Sequence, residues 1–246
     1  MTETTICKNC NIETASEYCP NCGQRTSIHK VTFSETFQDV INGMFSLDAP
    51  LWMTLKTLVV NPGKLFRDFL SGKRKTYYKP VSFFILTTIV FVLTKSLLNY
   101  DPMQNIAQVQ HDSVNAKLLN SAGVYMAKNI NNIIFSFVFA FALMLKVFFY
   151  KSYSLAEYLA VSFYVVGFYT LITTIYMIGL KFANPEYKSL PFLLMFVYVV
   201  YALISFFQKR NLTAILKMIL VYIFAMVLYI IIGYGISFLI VWLKSV

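Results

Sequence analysis

From Val81 to the carboxyl end the chain is a succession of apolar runs, each close to the thickness of a bilayer, and this limits its fold more than any other feature. The runs cover about 81–98, 130–150, 155–180, 191–207 and 218–242. At about 1.5 Å rise per residue, roughly 20 apolar residues cross a hydrocarbon core of about 30 Å. In lipid the backbone N–H and C=O groups must be satisfied within the segment, so such runs are read as helices. Composition agrees, with 58% hydrophobic and only 13% charged residues, against about 25% charged in soluble domains. The expected fold class is an all-α membrane protein, with about five transmembrane helices in residues 80–246. The run at 191–207 is short enough to be re-entrant, and the long one at 218–242 can tilt.

The charges set an orientation. Net charge is +10, and seven of the eleven acids precede Pro80. With the amino terminus inside, the internal segments hold the cluster from Lys64 to Lys79, then Lys151, then Lys209, Arg210 and Lys217. The external loops hold Lys117 and Lys128 with Asp101 and Asp112, then Lys181 and Lys188 with Glu186. That bias predicts a plasma (inner) membrane protein with a cytoplasmic amino terminus, and five spans put the carboxyl end outside. Met1 to Thr5 is polar and no apolar segment follows, so the first long run is expected to act as the targeting element.

Ahead of the bundle, residues 31–79 read as amphipathic juxtamembrane helices. Thr32-Phe33-Ser34-Glu35 matches a capping box, and Phe33, Phe37, Val40, Ile41 and Met44 recur at helical spacing. Pro50 opens a second helix with Leu51, Leu55, Leu58 and Val59 on one stripe. Asn61-Pro62-Gly63 stops it and starts a third, which ends at Ser71-Gly72. A basic cluster follows. Lys64, Arg67, Lys73, Arg74, Lys75 and Lys79, with Tyr77 and Tyr78, are expected at the membrane interface, facing anionic headgroups at about 1 kcal/mol per cation.

The four cysteines all lie in residues 1–28, as Cys7-Lys-Asn-Cys10 and Cys19-Pro-Asn-Cys22-Gly23. Two Cys-x-x-Cys knuckles joined by an eight-residue loop form a strong metal signature, because each knuckle turns both thiolates towards one tetrahedral ion. So short a module cannot bury enough apolar surface to fold unaided. A cytoplasmic amino terminus favours metal over disulfides, and a closed set of four thiolates favours zinc over iron or redox chemistry. Cys7, Cys10, Cys19 and Cys22 are therefore the expected ligands of Zn2+ in a zinc ribbon that holds its own fold and leaves no open position for catalysis. His29, seven residues past Cys22, is a weaker candidate, since four cysteines complete the shell. Nucleic acid is not an expected partner. Between Cys7 and Arg25, Lys8 and Arg25 are balanced by Glu13 and Glu17, where phosphate binding needs a basic face.

No zincin, nucleophile-elbow, Walker or dinucleotide motif is present. The runs carry no Asp, Glu or His except near their ends, where Lys95 and Lys146 can snorkel outward. Ser136, Ser162, Thr173, Thr174, Ser205 and Ser237 suit interhelical hydrogen bonding. His111-Asp112 reads as a solvated loop. The expectation is a non-enzymatic scaffold that docks a cytosolic protein partner through its ribbon. The alternative is a transporter or lipid-handling protein for a neutral or lipid-like substrate, with its path near Thr173 and Thr174.

Thr54-Leu55-Lys56-Thr57-Leu58, Asn61-Pro62-Gly63, Gly72-Lys73-Arg74-Lys75 and Tyr78-Lys79-Pro80 follow in order behind Cys19-Pro-Asn-Cys22-Gly23-Gln24-Arg25. This succession resembles an uncharacterised family of bacterial multi-pass membrane proteins common in Bacteroidota, domain of unknown function 3667. The resemblance covers roughly the first 85 residues, and the later runs share only hydropathy. It rests on Pro62, Gly63, Gly72, Lys73, Arg74, Tyr78 and Pro80, to none of which the family assigns a role. It implies an inner-membrane protein with a cytosolic zinc ribbon, and it implies no reaction.

Overall fold

The computed structural model describes residues 4–26, 50–99, 114–182 and 190–245, and within them the apolar runs are helices. Strands β1 (Thr5–Ile6) and β2 (Glu13–Thr14) form an antiparallel hairpin in the cysteine module. Helices α1 (Pro50–Val60) and α2 (Pro62–Leu70) lead to the bundle. The bundle comprises α3 (Pro80–Leu98), α4 (Val114–Lys128), α5 (Ile130–Phe148), α6 (Leu155–Phe182), α7 (Leu190–Phe207) and α8 (Leu212–Ser245). The helix expected from the Thr32 capping box, His29 and the His111-Asp112 pair lie outside the described residues.

Four helices (α3, α6, α7 and α8) are long and apolar enough to cross a membrane, and α4 with α5 makes a fifth if that pair, bent by 87°, is one span. The fold is that of a multi-pass helical membrane protein. Helix α7, the run expected to be marginal, is one continuous helix over its 18 residues. Burial separates the helices by role. In α6, 61% of the apolar window is inside the protein, against 22–28% in α3, α7 and α8: α6 is enclosed by α3, α5 and α7, while α8 packs on α4, α5 and α7. The outer helices leave Leu93, Leu97, Phe192, Leu193, Ile230 and Ile231 exposed, as a lipid-facing surface requires.

The sequence reading needs one substantial correction. Residues 114–128, expected as part of an external loop, form helix α4 and pack on α8. Helix α8, at 34 residues, reaches about 51 Å, well beyond a hydrocarbon core of about 30 Å. Helix α4 packs on its carboxyl-terminal half. Ala122 is buried, the Tyr234 hydroxyl donates to the Leu119 carbonyl (2.8 Å), and the Lys244 ammonium sits over the Tyr125 ring.

The hydroxyls of the spans also depart from expectation. Ser162, Thr173, Thr174 and Ser237 each donate to the carbonyl four residues earlier in their own helix, and Ser136 to the one three residues earlier. A hydroxyl can satisfy itself this way without any neighbouring helix. Ser205 alone of that group bonds across elements: it accepts from the Gly63 N–H (3.0 Å) and donates to Asn61 Oδ1 (2.8 Å).

That contact seats α2 on α7. The amino end of α2 meets the last turn of α7, so opposite ends of two helix dipoles face each other. Asn61 caps α2 by accepting from the Lys64 N–H, and Pro62 occupies the first turn. Arg67 reaches across and donates to the Ser205 and Phe206 carbonyls, two of the acceptors that a helix end leaves unsatisfied. Tyr201 donates in turn to Val60 at the end of α1 (2.6 Å). Leu58, Leu65, Phe66, Tyr164 and Phe206 complete a buried aromatic and aliphatic core at this end of the bundle.

Candidate metal centre and its seat

The two Cys-x-x-Cys segments fold as copies of one turn. In the first, the Cys7 N–H donates to the Ile12 carbonyl (2.9 Å) and the Asn11 N–H to the Cys7 carbonyl (2.8 Å). In the second, Cys19 and Gln24 stand in the places of Cys7 and Ile12, and Gly23 in that of Asn11, each bond at 2.8 Å. The residue after each second cysteine has a left-handed backbone, with φ of 60° at Asn11 and 65° at Gly23. Glycine adopts this freely, and asparagine is among the few other residues that tolerate it. The Asn11 match was legible in the sequence, which carries a left-handed former at the same offset in both knuckles.

The four sulfurs converge. Cys7 Sγ lies 3.6 Å from Cys22 Sγ, and Cys10 Sγ lies 3.5 Å from Cys19 Sγ. All four ligand atoms fall within 4.8 Å of one another, with Cys7 and Cys19 buried. A tetrahedral ion with sulfur ligands at about 2.3 Å needs sulfurs roughly 3.8 Å apart, so the cluster fits a four-thiolate metal site. The sequence-predicted ligands Cys7, Cys10, Cys19 and Cys22 are thus brought together.

Electrostatics split the thiols. The Ile12 backbone N–H, aimed at its sulfur, lowers the Cys10 thiol to about 6, while burial raises that of Cys22 to about 11. Four thiolates this close repel one another, and a dication removes that repulsion.

The module is seated on the turn after α2. Gln24 is buried, and its side-chain amide makes a two-way clasp, donating to the Gly72 carbonyl (2.6 Å) and accepting from the Lys75 N–H (3.2 Å). On the other knuckle, Asn9 Oδ1 accepts from the Thr76 hydroxyl. Each anchor belongs to a knuckle: Asn9 lies between Cys7 and Cys10, and Gln24 closes the turn after Cys22. Sequence reasoning gave neither a role, since the partners of Gln24 lie 48 and 51 positions away.

The residues expected at the membrane interface divide into groups. Lys64 and Lys75 are exposed. Lys73 pairs with Asp68 (3.4 Å), and the Arg74 guanidinium lies 6.0 Å from the Phe69 ring centre. Lys79 precedes α3 as its half-buried N-cap residue. Arg67, Tyr77 and Tyr78 are engaged inside the protein. Tyr77 is buried and donates to Asp68 (3.0 Å); burial, then the Asp68 carboxylate, pushes its phenol up to about 12. The Tyr78 N–H donates to Thr54 Oγ1, and its carbonyl accepts from Tyr164.

A family model described as "Protein of unknown function (DUF3667)" matches residues 48–92. That segment takes in α1, α2, the turn under the cysteine module and the first part of α3. Neither the curated proteins nor the solved structures contain a match to this chain.

Proposed function

We propose that this chain is a non-enzymatic multi-pass inner-membrane scaffold whose four cysteines hold one zinc ion in a ribbon. The ribbon is a fixed platform for a cytosolic protein partner. The observation that carries this reading is the distribution of contacts on the module. Asn9 and Gln24 fasten it to the bundle, while Ile6 (62% exposed), Ile12 (42%) and Tyr18 (56%) remain in solvent on a module of barely two dozen residues. Exposed apolar side chains on a rigid support are a common basis for protein recognition. Four thiolates leave no ligand position for water, which favours a structural metal over a catalytic one.

A cytoplasmic ribbon is supported by the basic residues gathered at the same end of the bundle, from Lys64 to Lys79 and at Lys151, Lys209, Arg210 and Lys217. The transporter reading draws no support from the spans, whose Thr173 and Thr174 hydroxyls bond to their own helix.

Photo-crosslinking in cells tests the proposal. With a photoreactive residue in place of Tyr18, a discrete protein adduct is expected in the otherwise native chain and is lost when Cys19→Ser is added. An adduct unchanged by Cys19→Ser contradicts a metal-held platform.

A further inference from the structure

A second site lies at the same end of the bundle, formed by the two connectors after α5 and α7. A cavity of about 280 Å³ opens there, lined by Lys151 from the first connector, Lys209 and Asn211 from the second, and Thr213 and Lys217 from the start of α8, over a floor that includes Phe148. Three features converge on an anion. The lining carries three ammonium groups and no carboxylate. Among the described residues none of the three lysines forms an ion pair, and Glu157, in the first turn of α6 just beyond the first connector, is engaged with the Ser154 N–H. The cavity also includes the first turn of α8, a 34-residue helix whose amino end carries partial positive charge.

The size and surroundings select the kind of anion. A volume just under the ~300 Å³ typical of the smallest small-molecule sites suits a phosphate group with a small substituent. Directly below the cavity, Phe148 of α5 meets Phe224 of α8 (5.8 Å between rings), and Val147, Leu220 and Phe224 leave an apolar surface exposed there. Lys217 stands five residues into α8, about 7.5 Å along its axis from the amino end. A free phosphate would have no use for that apolar wall, whereas acyl chains would lie along it.

We propose that this cavity binds the phosphate of an anionic phospholipid, with Lys151, Lys209 and Lys217 as its cationic ligands, Asn211 and Thr213 as hydrogen-bonding groups, and the acyl chains along α5 and α8. The site is separate from the cysteine module and from the basic cluster at residues 64–79. It does not depend on the scaffold reading.

The test uses the full-length protein purified from membranes and reconstituted in nanodiscs of phosphatidylcholine containing a minority of phosphatidylglycerol, with retained lipid counted by native mass spectrometry. Wild type is expected to retain phosphatidylglycerol above its bulk fraction. Lys151→Gln/Lys209→Gln/Lys217→Gln is expected to lose at least about tenfold of that preference, since each cation near the surface contributes comparably. The matched control Lys8→Gln/Lys56→Gln/Lys128→Gln removes the same charge elsewhere and is expected to retain the lipid. Equal retention by wild type and the cavity variant overturns the site. Equal loss in both triple variants also overturns it, by reducing it to general surface charge. Protection by inorganic phosphate in pure phosphatidylcholine discs, without phosphatidylglycerol enrichment, overturns the lipid assignment.

Discussion

Stripping the metal from the purified protein is expected to unfold residues 4–26 while leaving the helices intact. The module contains two two-residue strands and a handful of backbone bonds, and its buried residues include two of the cysteines themselves. Binding free energies of about 10 kcal/mol or more are typical of structural zinc in such small modules, which far exceeds anything these strands supply. Chelator, Cys7→Ser and Cys19→Ser should therefore have the same effect: loss of one equivalent of metal and rapid proteolysis within the first 26 residues, with helical circular dichroism almost unchanged. The pH dependence has a definite sign. In the unfolded, metal-free module the thiols are mostly protonated at pH 7, since free cysteine titrates at about 8.5. The metal takes thiolates, so binding releases protons and affinity should rise with pH from 6 to 8. Calorimetry in buffers of different ionisation enthalpy reads those protons directly.

The second large effect is expected at Gly63. A Cβ placed there would lie 2.1 Å from the Ser205 carbonyl carbon and oxygen and 2.3 Å from the Phe206 nitrogen. These are backbone atoms of α7, which cannot turn aside as a side chain could. Gly63→Ala must push α2 off α7, breaking the Gly63–Ser205 bond and the Arg67 contacts with it, at a cost of about 3 kcal/mol or more, the upper end of overpacking penalties. Gly63→Val should prevent accumulation of folded protein. Gly179→Ala is the control, because nothing lies within 4 Å of its Cβ position, and it should be neutral or slightly stabilising. Thermal stability in detergent of Gly63→Ala and Gly179→Ala side by side, with the folded yield of Gly63→Val, distinguishes close packing from a general intolerance of substitution.

Gly63 also shows where sequence reading stops. Asn61-Pro62-Gly63 was legible as a helix start, and it is one. The reason for the glycine is the approach of Ser205, 142 positions away, which no local pattern encodes. Gln24 is a similar case: its surroundings predicted a turn, while its clasp on Gly72 and Lys75 exists only once the module and the bundle meet. Helix α4 was missed for a similar reason. Leu118, Ala122, Tyr125 and Met126 do recur at helical spacing, but the surface they pack on, around Gly233, Tyr234 and Lys244 of α8, lies more than 100 positions away. Ser154 and Glu157 form a reciprocal capping box at the start of α6, a Ser-x-x-Glu signal that stands in the sequence where the third apolar run begins. The convergence of the four cysteines was readable, since the spacing within each knuckle is local and the structure brings all four sulfurs together. The interface residues were not: Arg67, Tyr77 and Tyr78 carry the composition of a headgroup contact, but tertiary partners claim them.

The central claim is that a metal-held module is clasped to the turn that leads into the bundle. Hydrogen exchange at the Lys75 amide tests it most directly, because that N–H is bonded to the Gln24 side chain, while the nearby Tyr78 amide is bonded to Thr54 of α1. The account predicts slow exchange at both amides in the metal-loaded protein. After chelation, or in Gln24→Ala, exchange should be fast at Lys75 and still slow at Tyr78. Fast exchange at Lys75 in the loaded wild type, or slow exchange there after the metal is removed, would contradict it.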